Sequence, residues 1–256
     1  MRRGAGHGPV WCGLFLCYSY QLFIAVSTME QEKNIMQIWD LPLRLFHWGL
    51  VVAVIGAIAS AKLEILWLHE RFGLAVMGLG GFRLVWGVYG GHYARFGQFL
   101  VVPRRALAGI KGLLRPDTAR PHAGHSAAGG YAVLGLLAVT GGMALSGSFS
   151  HDDVLFEGPL AHLLPQVSAT ATSLHHLGEK ILFLMIFLHL AAIVVYRLVK
   201  QRHLTSAMVR GHAAPDGNLL GPDGTISPAR CIAGILGLIL FVGGAQALSL
   251  LRPALF

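Results

Sequence analysis

An all-α bundle of membrane-spanning helices is the fold class this sequence predicts. Three observations predict it: little charge, much apolar content, and several uninterrupted apolar runs. Of 256 residues only 12% are Asp, Glu, Lys or Arg, 54% are apolar, and the mean hydropathy is +0.60. Soluble domains carry about a quarter charged residues. This chain lacks the polar coat that would keep it dispersed, so much of its surface faces lipid. An ordinary cytosolic enzyme and a disordered segment are both excluded. The net charge of +8 would suit nucleic acid, but in a membrane chain such an excess collects in loops, and its placement decides the partner. Cys12, Cys17 and Cys231 supply neither a disulfide framework nor a Cys-x-x-Cys-His attachment motif, and read as small apolar fillers.

Crossing about 30 Å of hydrocarbon takes about 20 helical residues. The first run, residues 43–61, follows Asp40 and Pro42, which fit an N-cap and a first-turn proline. The second covers residues 67–89, the third 129–148 and the fourth 174–199. A fifth, from Ile232 to Leu251, follows a loop rich in Gly, Pro and Asp that begins near Ala213. None alternates as a barrel strand would, and backbone inside lipid must satisfy its own hydrogen bonds, so all are helices. The expected architecture is a four-helix transmembrane bundle with an additional C-terminal helix. Residues 1–35 form a separate hydrophobic extension, in which Arg2 and Arg3 precede an apolar stretch from Val10 to Val26. It fits a signal sequence, an extra helix, or an over-extended start upstream of Met29 or Met36, and it carries no functional argument.

Lys and Arg orient the bundle. Arg95, Arg104, Arg105, Lys111, Arg115 and Arg120 lie between the second and third helices, and Lys200, Arg202 and Arg210 follow the fourth. The loop between the third and fourth has no Lys or Arg, only Asp152, Asp153 and Glu157. The positive-inside rule places loop 90–128 and segment 200–228 in the cytoplasm and loop 149–173 outside.

Histidines carry the chemistry. An imidazole at membrane depth needs a partner such as another side chain, water or a metal. His47 lies about one turn into the first helix, His69 opens the second, and His175 and His189 share the fourth. The last two are 14 residues apart, which is about 21 Å of rise and nearly one face of the helix. Two ligands on one stripe imply two stacked sites. Depth pairs His47 with His189 toward the cytoplasm and His69 with His175 toward the outside. Zinc would ask for about four ligands at each level, and the sequence offers too few. Haem brings four nitrogens of its own and asks only for axial ligands, so two histidines suffice. Gly73, Gly78, Gly80, Gly81, Gly129, Gly130, Gly141 and Gly142 would give macrocycles room, although glycine equally serves close helix packing.

The segment Ile38-Trp39-Asp40-Leu41-Pro42-Leu43-Arg44-Leu45-Phe46-His47-Trp48 resembles the bacterial cytochrome b561 and nickel-iron-hydrogenase cytochrome b subunit family. So do His69-Glu70-Arg71-Phe72-Gly73 with Phe82-Arg83-Leu84-Val85-Trp86-Gly87, Gly124-His125-Ser126-Ala127-Ala128-Gly129-Gly130, Leu174-His175 and Leu188-His189. The resemblance covers roughly residues 36–211, leaving 212–256 as a loop and last helix. It implies a four-helix core with two non-covalent b haems, whose axial ligands map onto His47, His69, His175 and His189. It further implies electron transfer between a membrane quinone pool and a redox partner, such as a c-type cytochrome or a hydrogenase, in a bacterial inner membrane. His176 departs from the acidic residue the family often has after the ligand.

Other residues admit two readings. Arg44 and Arg83 suit pairing with anionic haem propionates, but Arg at a helix end also snorkels to phosphate. His122 and His125 open the third helix, where they fit proton exchange with quinone, a propionate contact or simple solvated capping. Asp40 fits a quinol-proton acceptor as well as a cap. Aromatic and basic residues from Tyr93 to Lys111 superficially suit nucleic acid, yet anionic inner-leaflet lipid explains them more simply. Function divides accordingly: a quinone-linked electron carrier, a membrane anchor lacking its own quinone site, a superoxide- or metal-reducing quinone oxidoreductase, or a small proton-coupled transporter without haem.

Overall fold

A computed structural model describes residues 36–100, 103–115, 123–152, 156–212 and 220–252. The hydrophobic extension 1–35, with Cys12 and Cys17, lies outside the described residues, as do Arg120, His122 and Asp153.

Helix α1, Leu41–Lys62, starts where Asp40 accepts a hydrogen bond from the Leu43 amide at 2.8 Å, with proline in the first turn. The chain reverses through Leu63, Glu64 and Ile65 into α2, Leu66–Tyr89. Two short 3-10 turns and α3, Pro103–Lys111, follow. Helix α3 lays only Ala106 inward and leaves Leu107 and Ile110 exposed among Arg104, Arg105 and Lys111. Helix α4, Ala127–Phe149, is capped by the Ser126 hydroxyl, which accepts from the Gly129 amide at 3.1 Å. After α5, Ser168–Leu198, comes the short α6, Leu204–Arg210, which stops at Gly211 with φ +90, a left-handed conformation suited to glycine. Helix α7, Pro228–Ala247, starts at the cap residue Ser227 and runs on into a 3-10 turn, Leu248–Leu251.

Among the described residues, five helices are long and apolar enough to cross a membrane: α1, α2, α4, α5 and α7. Helix α2 is the hub, packed against α1, α4 and α7, while α5 packs on α4. Of the apolar stretch of α2, 44% is buried, against 6% for α5, whose outward leucines, isoleucines and phenylalanines belong to lipid. The basic loops gather at one end of the bundle, called here the basic end. A two-residue antiparallel pair, β1 (His151–Asp152) with β2 (Phe156–Glu157), marks the other, the hairpin end. From sequence alone this segment is only an acidic loop.

The densest packing lies at the basic end, where Ile38, Trp39, Leu43, Phe46, Leu79, Phe82 and Trp86 form one cluster, with Phe82 and Trp86 stacked at 5.7 Å. Residues ahead of α1 are laced to the end of α6: Ile38 and Trp39 amides donate to the Gly211 carbonyl at 2.8 and 2.9 Å.

Helix α5 starts six residues before the expected position 174. Its first turns, Ser168-Ala169-Thr170-Ala171-Thr172-Ser173, are too polar to register as a span, but the hydroxyls of Thr172 and Ser173 bond back to the Ser168 and Ala169 carbonyls and so remain helical. The glycines divide in purpose. A side chain at Gly78 would strike the Phe241 carbonyl and Val242 backbone at 2.6 Å, one at Gly81 would strike the Phe241 ring, and Gly130 receives Phe99. These three serve helix and loop packing. Gly73, by contrast, has nothing within 4 Å of a built Cβ and faces an internal cleft.

Candidate functional site

The cleft lies toward the hairpin end between α1, α2, α4 and α5 and holds about 370 Å³, within the range of ligand sites. Its walls are mostly apolar, among them Val54, Ile58, Leu74, Met143, Ala144 and Phe183, with His69 and His175 inside. On α1 its lining stops at Val54 and on α5 at Phe183.

The His69 and His175 rings lie 6.0 Å apart, centre to centre, with planes at 89°. Each is tethered from behind. His69 Nδ1 donates to the Ala57 carbonyl of α1 at 2.8 Å, and His175 Nδ1 to the Met143 carbonyl of α4 at 2.9 Å. A carbonyl can only accept, so both Nδ1 atoms carry hydrogen and both Nε2 atoms keep a lone pair. Metal-binding histidines are commonly fixed in this way. A bond of about 2 Å from a shared metal to each imidazole, with about 1 Å more to each ring centre, would also separate the centres by about 6 Å. His176 is exposed, and it is His175 whose ring meets His69.

Toward the basic end, His189 of α5 lies within electrostatic reach of His47 of α1. Both are half-buried, and His47 Nδ1 is enclosed without a hydrogen-bond partner among the described residues.

Arg83 is the most thoroughly enclosed cation described. The residue is 1% exposed, its guanidinium lies 4.6 Å over the Phe96 ring, and neither Nη1 nor Nη2 has a hydrogen-bond partner among the described residues. His125 stands close enough to feel its charge and is flanked by Trp39 and Phe99 at 4.7 and 4.6 Å. Burial first, and the Arg83 charge second, pull His125 down to about 3, so it is neutral at physiological pH. Its Nδ1 is also enclosed and unpartnered. Buried polar groups left unpaired are costly, and the two Arg83 donors with the His125 ring close by suit an anionic or carbonyl-bearing ligand.

Arg44 points elsewhere. Its Nη1 donates to the Val209 carbonyl at 2.5 Å and its guanidinium rests against Gly211, although Nε is enclosed and unpartnered among the described residues. Asp40 is fully occupied. Its carboxylate accepts from the Leu43 amide, the Trp86 indole at 3.1 Å and the Gly91 amide at 3.2 Å. Burial raises its pKa, opposed by those donors and by Arg83. It reads as an anchor of the α1 start rather than an open proton acceptor.

Several cleft residues escaped the sequence reading. Lys62 and Glu179 pair at 3.1 Å across its mouth, from α1 and α5, and Glu70 lines it beside His69. Glu70 could have been suspected from its neighbour, whereas nothing in the sequence ties Lys62 to a residue 117 positions away. Gly147 is likewise hidden: a Cβ there would lie 3.0 Å from the His175 ring.

A family model described as prokaryotic cytochrome b561 matches residues 38–211. No curated protein and no solved structure matches the chain.

Proposed function

The chain belongs to the prokaryotic cytochrome b561 family of haem b membrane electron-transfer proteins, and from that premise we propose that it carries two haems, stacked through the bilayer, between a quinone pool and a redox partner protein. The observation that supports this most is the His69 and His175 pair, whose spacing and tethered Nδ1 atoms suit two axial ligands of one iron. Residues around the cleft fit the group: apolar walls exclude water, and Gly73 leaves flat space where a side chain would intrude. His47 and His189 would hold the second haem, His189 lying on the same stripe of α5 as His175 and about 21 Å of rise from it.

Haem b supplies reversible one-electron oxidation and reduction. The protein's part is to hold, orient and compensate. Ala57 and Met143 carbonyls fix the tautomer and angle of the outer imidazoles. Arg83, with both Nη atoms enclosed and unpartnered among the described residues, is the propionate partner at the basic end, with His125 completing the cradle. Arg44 contributes Nε alone, since its Nη1 serves Val209. Two imidazoles per iron leave no position for a substrate, which favours electron carriage over chemistry at the metal.

The basic end faces the cytoplasm, as its Arg104, Arg105, Lys111, Arg115, Lys200 and Arg210 favour. Quinone reacts there, near Arg83 and His125. The hairpin end faces a periplasmic or membrane-attached redox protein. Anaerobic mixing of the purified full-length protein with a water-soluble quinol analogue tests the reading. Reduction of the b-type absorbance supports it. Failure by quinols of every class, with reduction by dithionite intact, would leave a membrane anchor without its own quinone site.

A further inference from the structure

Arg252 stands beyond the family match, which ends at residue 211, yet it reaches the outer histidine level. Its Nη2 lies 2.7 Å from Glu70 Oε2 and also donates to the Glu157 carbonyl of β2 at 2.5 Å. Glu70 directly follows His69 and lines the same cleft, with its side chain only 9% exposed. The C-terminal helix is built to deliver Arg252. Gly78 lets the α7 backbone approach α2 to a distance no side chain would permit, and the last turns clasp the outer end of α2. Arg71 Nη1 donates to the Ser249 hydroxyl at 2.8 Å, and Gln246 Nε2 to the Arg71 carbonyl at 2.8 Å.

We propose that Arg252 is a positioning and charge-compensating residue of the outer redox site: by cancelling the Glu70 charge beside His69, it lets the C-terminal helix set the reduction potential of that site. The inference rests on the reading that His69 and His175 hold a haem. Reduction lowers the charge at iron by one, so an uncompensated carboxylate nearby stabilises the oxidised form and an uncompensated guanidinium the reduced form. Besides Glu70, the acidic and basic side chains that line the cleft are Lys62 and Glu179. Lys62 and Glu179 pair with each other and are more exposed, at 68% and 39%, so solvent screens them, and Arg71 is an exposed residue held by Ser249.

Potentiometric titration of the full-length protein, following each haem by its absorbance, tests this in Glu70→Gln, Arg252→Gln and the double variant. Expected is an upward shift of one haem in Glu70→Gln, a downward shift of the same haem in Arg252→Gln, and a return toward wild type in the double variant, with the second haem unmoved. A merely structural clasp would not give opposite shifts that cancel. If Arg252→Gln fails to assemble, the comparison of Glu70→Gln with the double variant still decides. Restoration in the double supports the proposal; a double variant that stays at the Glu70→Gln value overturns it. Single variants that leave both haems at wild-type potential, or that move one haem in the same direction, also overturn it. Failure of the underlying reading looks different: His69→Ala would then retain both haems, whatever the charge variants do.

Discussion

His69 and His175 face each other across the cleft at 6.0 Å, and each is held from behind by a carbonyl of the adjoining helix, Ala57 on α1 and Met143 on α4. The α1–α2 pair thus presents one imidazole and the α4–α5 pair the other, with the cleft between the two pairs. Replacing either histidine should therefore remove the same haem. His69→Ala and His175→Ala are expected to lose the outer haem and keep most of the inner one, whereas His47→Ala and His189→Ala do the reverse. Reduced-minus-oxidised spectra with haem quantitation check this, and loss of one common haem in His175→Ala and His189→Ala would break the pairing.

Gly147 should be intolerant for a local reason. A Cβ there lies 3.0 Å from His175 Cε1 and 3.1 Å from Nδ1, closer than the ring can accept without turning off its Met143 tether. Gly147→Ala is expected to shift or deplete the outer haem signal alone. Gly141→Ala in the same helix meets nothing within 4 Å; it should leave both haems in place and gain up to about 1 kcal/mol of helix propensity.

Asp40 serves three donors from three segments, at Leu43, Trp86 and Gly91. Asp40→Ala removes the cap of α1 and strands an enclosed indole and an enclosed amide, a loss of about 2–4 kcal/mol. Asp40→Asn keeps an acceptor at the cap and should fall between. Thermal unfolding in detergent gives the order.

His125 makes the fold acid-sensitive. Its ordinary value of 6.5 drops to about 3 in the folded protein, through burial first and Arg83 second. The unfolded chain therefore takes up a proton that the folded chain refuses. The titration costs nothing above pH 6.5 and destabilises the fold increasingly as pH falls toward about 3, at about 1.4 kcal/mol per unit between the two values. In the haem-free protein, where no propionate faces it, His125→Gln should flatten the decline of melting temperature across that window. An unchanged slope would mean that His125 gains its proton in the folded state as readily as outside it.

The spans were legible because lipid demands long apolar runs, and four of the five helix ends near the basic loops sit close to where charge and caps place them. The start of α5 was not legible, since Ser and Thr satisfy a helix by bonding backward and leave no apolar signature. The hairpin of His151–Asp152 with Phe156–Glu157 is too short for any periodicity. At the site, the level of each histidine followed from counting residues along antiparallel helices. What positions them did not: the Ala57 and Met143 carbonyls carry no side-chain signal, and Glu70, Lys62 and Arg252 find their partners only through the fold. Glycine was ambiguous for the same reason. Gly73 borders the cleft while Gly78 and Gly81 admit α7, and one residue type serves both ends.

Haem content per chain tests the central claim most directly. Purified full-length protein, saturated with haem during expression and assayed by pyridine haemochrome against protein mass, should contain two b-type haems per polypeptide, both low-spin as two imidazole ligands require. A fully loaded preparation that holds a single haem, or none, would contradict the account.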